Sequence, residues 1–149
     1  MPTHAEYMKA ALEAATQGDL PYGAVLVKDG EIQATAYNTA QRDSDPTAHA
    51  EINLLRQQTK ALGEYNPEIL KGYSLYTTCE PCPMCAAACA WTGVSEIIFG
   101  ASIADLIGVG QSQISVPCET ITNQGFQDIK ITSSVLAQEC LALFQPNNK

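Results

Sequence analysis

Apolar residues recur along this 149-residue chain with two different periods, and the switches between them outline the fold. From His4 to Thr16, the residues Tyr7, Met8, Ala11, Leu12 and Ala15 fall on one stripe and Gly18 follows, which predicts an amphipathic helix. Gly23 to Tyr37 (GAVLVKDGEIQATAY) gives two strand-like runs flanking Asp29-Gly30, a strong hairpin signal. Asp45-Pro46 predicts the start of a second helix, with Ala48, Ile52, Leu55 and Leu62 turned inward and His49 and Glu51 in its N-terminal turn. Ser74–Thr78, Glu96–Phe99 and Ile129–Thr132 read as strands, Cys82–Trp91 as a helix of small residues, and Ser133–Phe144 as a closing helix. Ala101–Gln127, punctuated by Gly108, Gly110, Pro117 and Gly125, shows no clear period. A hairpin followed by alternating helices and strands predicts an α/β fold in three layers, α/β/α. Its centre is a mixed sheet of about five strands with helices on both faces.

The length suits one domain over residues 1–149, large enough to bury roughly 68–70% of its unfolded surface without disulfides. No internal repeat, low-complexity tract or linker divides it. The chain is 46% hydrophobic and 16% charged, with neither a bilayer-length apolar run nor a basic-then-apolar signal segment in Met1–Leu20, so a cytoplasmic location is expected and a membrane partner is not. In that compartment six cysteines are expected to be reduced, buried or metal-bound. The net charge is −8, and the eight cations (Lys9, Lys28, Arg42, Arg56, Lys60, Lys71, Lys130, Lys149) are scattered singly. There is no basic stripe, and no basic tail after Gln145, for a phosphate backbone, which makes nucleic acid a disfavoured partner.

Four of the cysteines lie in Cys79-Glu-Pro-Cys82-Pro-Met-Cys85-Ala-Ala-Ala-Cys89, a spacing also used by iron–sulfur clusters. A cluster needs all four thiolates to converge from a loop, whereas here Pro81 starts a helix that carries Cys82 and Cys85 on one face. Thiolates at a helix N-terminus are favoured by the helix dipole. With His49 on the first turn of another helix, these two make a three-ligand zinc site that leaves the fourth tetrahedral position open, as in catalytic rather than structural sites. Glu51, two residues after His49, is placed to move protons. His-x-Glu followed by Pro-Cys-x-x-Cys is the zinc-deaminase signature, filled here by His49-Ala50-Glu51 and Pro81-Cys82-Pro83-Met84-Cys85. Asn38 reads equally as a strand terminator, Tyr22 and Trp91 as core, and Cys79, Cys89, Cys118 and Cys140 as small packing residues. His4 and Glu80 are assigned no functional role.

On these motifs, together with Pro21-Tyr22-Gly23-Ala24-Val25-Leu26-Val27, Tyr37-Asn38 and Asp45-Pro46-Thr47-Ala48, the chain resembles the cytidine and deoxycytidylate deaminase family. The likeness is to the branch that includes guanine deaminase, yeast-type cytosine deaminase and tRNA adenosine deaminase. It implies a cytidine-deaminase-like fold, one Zn2+ per chain on His49, Cys82 and Cys85, and a homodimer, sometimes with an exchanged C-terminal segment. It further implies hydrolytic deamination in which zinc hydroxide attacks and Glu51 shuttles protons, releasing ammonia. By the same resemblance Asn38 would hydrogen-bond the base, Ala50 would offer a backbone contact, Tyr22 would pack beside the ring, and Trp91 sits at a spacing seen in guanine deaminases. The expected substrate is a small heterocyclic base or nucleoside, guanine first. The alternatives are a tRNA adenosine deaminase and a non-catalytic metal-binding protein. Guanine deaminases of this kind carry a base-reading carboxylate about 28 residues past the second cysteine. Here Gln113 stands at that distance, with Asp105 and Glu119 the nearest acids.

Overall fold

The computed structural model describes residues 2–145. Helix α1 (His4–Ala15) starts at Thr3, whose hydroxyl takes the Glu6 N–H while the Glu6 carboxylate takes the Thr3 N–H, a reciprocal capping box. Strands β1 (Gly23–Lys28) and β2 (Glu31–Tyr37) form the expected hairpin. Asp29 and Gly30 both have positive φ (53° and 79°), the turn geometry that matches strand twist. A register shift between Leu26 and Val27 adds a bulge. Gly23 is where α1 lies hard on β1: a Cβ there would stand 2.2 Å from the Ala11 carbonyl oxygen and 2.4 Å from the Ala15 nitrogen.

Helix α2 spans Ala50–Leu62, β3 Ser74–Cys79, α3 Pro83–Thr92 and β4 Glu96–Ala101. Two short helices follow, α4 (Ile103–Gly108) and α5 (Cys118–Thr122), then β5 (Lys130–Thr132) and α6 (Ala137–Ala142). The five-stranded sheet has the order β2-β1-β3-β4-β5. β1 is antiparallel to both neighbours, while β3, β4 and β5 are parallel. One face packs Leu54 and Leu55 of α2 and Cys89 of α3 against Leu26, Leu75 and Ile97. The other packs Tyr7, Met8 and Ala11 of α1 and Cys140 of α6 against Val25, Tyr76 and Ile98. This is the three-layer mixed α/β/α architecture read from the sequence.

The differences are local. Helix α2 begins at Ala50 rather than at Asp45-Pro46, because Asp45 is spent on a turn in which its carboxylate takes the Thr47 N–H (2.8 Å) and hydroxyl (2.7 Å). Its buried face is Ala50, Glu51, Leu54, Leu55 and Gln58; Ile52 is only partly covered and Leu62 is exposed. The closing helix is shorter than Ser133–Phe144, since Ser134 and Leu136 take left-handed backbone angles (φ 63° and 55°) that interrupt it. Of the tail after Gln145, residues 146–149 lie outside the described residues.

Candidate active site

The starts of α2 and α3 meet beside the end of β3. His49 and Cys82 are their N-cap residues, both with extended backbone (φ/ψ −70°/159° and −64°/168°), and neither side chain turns back to cap its own helix. Both side chains therefore point across the gap. His49 Nδ1 lies 3.6 Å from Cys82 Sγ and 3.6 Å from Cys85 Sγ. With zinc–sulfur near 2.3 Å and zinc–nitrogen near 2.0–2.1 Å, a tetrahedral angle separates sulfur from nitrogen by about 3.6 Å. The donor set fits zinc. Among the described residues the metal-capable cluster is His49, Cys82 and Cys85, its ligand atoms all within 4.8 Å of one another. The two thiols share their charge unequally. The Cys85 S–H, and then His49, stabilise the Cys82 thiolate and bring its pKa to about 4 despite burial, while the Cys85 thiol is pushed up.

The other two cysteines of the run do not join this cluster. Cys79 packs in the layer of α1 and α6, Cys89 in the layer of α2, and burial raises both thiols. Because Cys79 and Cys89 lie in different core layers, the four sulfurs do not converge as an iron–sulfur cluster requires.

Glu51, only 5% exposed, sits in the first turn of α2. Burial pushes its carboxyl up to about 7, partly offset by its own backbone N–H. It lines a cavity of about 390 Å³ with His49, Cys82, Asn38, Tyr22, Glu80 and Gln113, and the exposed Leu20, Ser112 and Ile114 complete the lining. Asn38, 3% exposed, follows β2. Its Oδ1 accepts the Ala40 N–H at 3.0 Å, which leaves Nδ2 as the group it presents. The Tyr22 hydroxyl accepts a hydrogen bond from Gln113 Nε2 at 3.0 Å, and its ring tilts against Phe144 at 5.1 Å.

Two of the residues singled out in the sequence do not line the cavity with their side chains. The Ala50 side chain is fully buried in the core shared with Leu54, between the cavity-lining His49 and Glu51. Trp91 is 59% exposed, its ring against Phe126 at 5.3 Å and its carbonyl taking the Tyr65 hydroxyl, away from the cavity. Of the three groups weighed for base reading, Gln113 reaches the cavity. Asp105 is occupied in a capping box with Ser102 at the start of α4, and Glu119 is exposed on α5. Sequence reasoning missed Leu20, Ser112 and Ile114, which no motif marks. It also set aside Glu80, an acid between two cysteines that proves nearly buried.

The profile of the cytidine and deoxycytidylate deaminase zinc-binding region matches residues 1–101. Guanine deaminase of Bacillus subtilis is 39% identical over 112 residues, covering 72% of this chain and 70% of that one. The tRNA-specific adenosine deaminase of Bacillus subtilis is 44% identical over 96 residues, 64% of this chain and 58% of its own length. A solved tRNA:A34 deaminase, studied for A-to-I editing at the wobble position of transfer RNA, superposes with a TM-score of 0.78 at 30% identity, covering 92% of this chain and 97% of that one. With a matching profile over two thirds of its length and a donor set of zinc dimensions, the chain belongs to the cytidine and deoxycytidylate deaminase family and is a zinc-dependent deaminase.

Proposed function

We propose that the chain, as a single deaminase domain, hydrolyses the exocyclic amino group of a small aminated heterocycle, guanine first among candidates, to the oxo compound and ammonia. The observation that carries this reading is the cavity itself, whose lining among the described residues contains no lysine or arginine and includes the exposed apolar side chains of Leu20 and Ile114. A polynucleotide substrate requires several neutralised phosphates. Arg42 and Arg56, which flank the His49 loop, are engaged with Asp19 (2.8 Å) and Asp45 (3.4 Å).

His49 Nδ1 and the sulfurs of Cys82 and Cys85 would hold the zinc. When bound, zinc supplies Lewis acidity that makes a water molecule nucleophilic near neutral pH. The Glu51 carboxylate takes a proton from the attacking water and gives it to the ring nitrogen beside the amino-bearing carbon. It then delivers the second proton to the departing amine, which leaves as ammonia. Asn38 Nδ2 donates to an acceptor on the base edge, the Tyr22 ring forms a wall, and Ala50 acts through its backbone. Trp91 is left out of the binding set because it faces away.

A homodimer and a cytoplasmic location belong to the same proposal. No described helix is long and apolar enough to cross a membrane, and sedimentation measures the assembly. A second reading, adenosine in a tRNA anticodon, is favoured by the extent of the match to the tRNA deaminase structure. Ammonia release from guanine, cytosine, adenine, their nucleosides, aminated triazines and pterins, and an anticodon stem-loop decides between them. Turnover of a free purine or purine-like base faster than of the stem-loop is expected, and turnover of the stem-loop alone would replace the first reading with the second.

A further inference from the structure

The stretch from α4 to α5, aperiodic in the sequence, is closed on itself by one side chain. Glu80, in the turn between β3 and α3, accepts the Ile103 N–H on Oε1 (2.9 Å) and the Cys118 N–H on Oε2 (2.7 Å), the first residues of α4 and α5. Its own N–H is fixed to the Ala101 carbonyl at 2.8 Å. Between the two clamped ends the chain passes along the cavity, where Ser112, Gln113 and Ile114 contribute to the lining. Among the described residues, the backbone N–H groups of Val109, Gly110, Gln111 and Val116 bond only within this stretch. Leu106 packs the start of the stretch into the core beside α1, and the hydrogen bond from Gln113 Nε2 ties its middle to Tyr22.

We propose that Glu80 is a positioning residue for substrate recognition. By fixing both ends of residues 103–118 it sets where the Gln113 amide stands against Tyr22, and so governs affinity for the base while leaving the metal donors intact. This rests on the reading that the cavity binds an aminated heterocycle. The physical basis is the acceptor count: a carboxylate offers each backbone N–H its own oxygen, whereas a glutamine offers one oxygen and turns an NH2 group toward the other N–H. Glu80→Gln therefore releases one clamp, strands a buried donor, and frees one end of the loop.

Hydrogen exchange of the zinc-loaded protein without substrate, followed by steady-state kinetics on the best base of the panel, tests this. In Glu80→Gln, exchange across 103–118 should rise at least tenfold with one zinc per chain retained. KM should rise at least tenfold with kcat within threefold. Gln113→Ala should raise KM comparably, and the double variant should stay within twofold of the worse single, because the two act in series. Unchanged exchange, lost zinc, a fall in kcat at constant KM, or multiplied effects in the double variant would each overturn the proposal. Should Glu80→Gln not fold, an unchanged KM in Gln113→Ala, a partly exposed site, overturns it alone. The exchange experiment needs no turnover, so failure of the base-deaminase reading is recognised separately.

Discussion

Replacing Asn38 by aspartate separates holding a turn from reading a base. In the native chain Oδ1 takes the Ala40 N–H at 3.0 Å, and that bond orients the amide so that Nδ2 is the free end in the cavity. Asn38→Asp keeps an oxygen for Ala40 and places a second oxygen where the donor stood. The loss to the bound base is one donated hydrogen bond, about 1 kcal/mol, plus roughly 1–3 kcal/mol for an acceptor left facing an oxygen in a closed site. Together about 2–4 kcal/mol corresponds to a fall in kcat/KM of about 30- to 1,000-fold. The assay is steady-state ammonia release on the best base, with Tm and zinc content measured on the same preparation. Both controls should match wild type, whereas Asn38→Ala should lose the turn bond as well and melt earlier. A kcat/KM within threefold of wild type in folded, zinc-loaded Asn38→Asp would show that Nδ2 does not meet the base.

Glu51→Gln should retain zinc and fold while activity falls on the order of 10²–10⁴-fold, measured by ammonia release with zinc quantified in parallel; a wild-type rate would refute its role in proton transfer. His49→Ala, Cys82→Ala and Cys85→Ala should each lose the metal, while Cys79→Ala and Cys89→Ala keep about one zinc per chain by elemental analysis, and metal loss on Cys79→Ala would show the ligand set to be wrong. Gly23→Ala drives a methyl into the Ala11 and Ala15 backbone, so a destabilisation of about 1–3 kcal/mol or more is expected in urea titration.

What was legible in the sequence was whatever carries a local signal. The α1 stripe, the Asp29-Gly30 turn and the apolar runs of β3 and β4 each depend on neighbours within a few residues, and they fell close to the observed bounds. The grouping of His49, Cys82 and Cys85 was legible because two cysteines three residues apart at a helix start and a histidine beside a glutamate form a pattern that survives in the linear chain. The phase of α2 was misread because Ile52 and Leu54 are both apolar, and only packing against β1 and β2 decides which faces in. Gln113 reaching Tyr22, 91 residues away, and Glu80 reaching Cys118, 38 residues away, are long-range contacts with no periodic trace. The cavity wall was therefore opaque where the metal donors were not.

The bare starts of α2 and α3 would couple metal occupancy to the integrity of the fold. Helix α1 has Thr3 and α4 has Ser102 to satisfy its leading N–H groups, and α2 and α3 both end cleanly on left-handed glycines, Gly63 (φ 75°) and Gly93 (φ 73°). At their other ends, the residues in the capping position have given their side chains to each other across the gap. A single ion held by His49, Cys82 and Cys85 would thus pin two helix starts at once, and chelation would release both. Apparent stability would then climb with free zinc by mass action, and the first turns of these helices, the very turns that carry Glu51 and Cys85, are where an ion-depleted chain would fray.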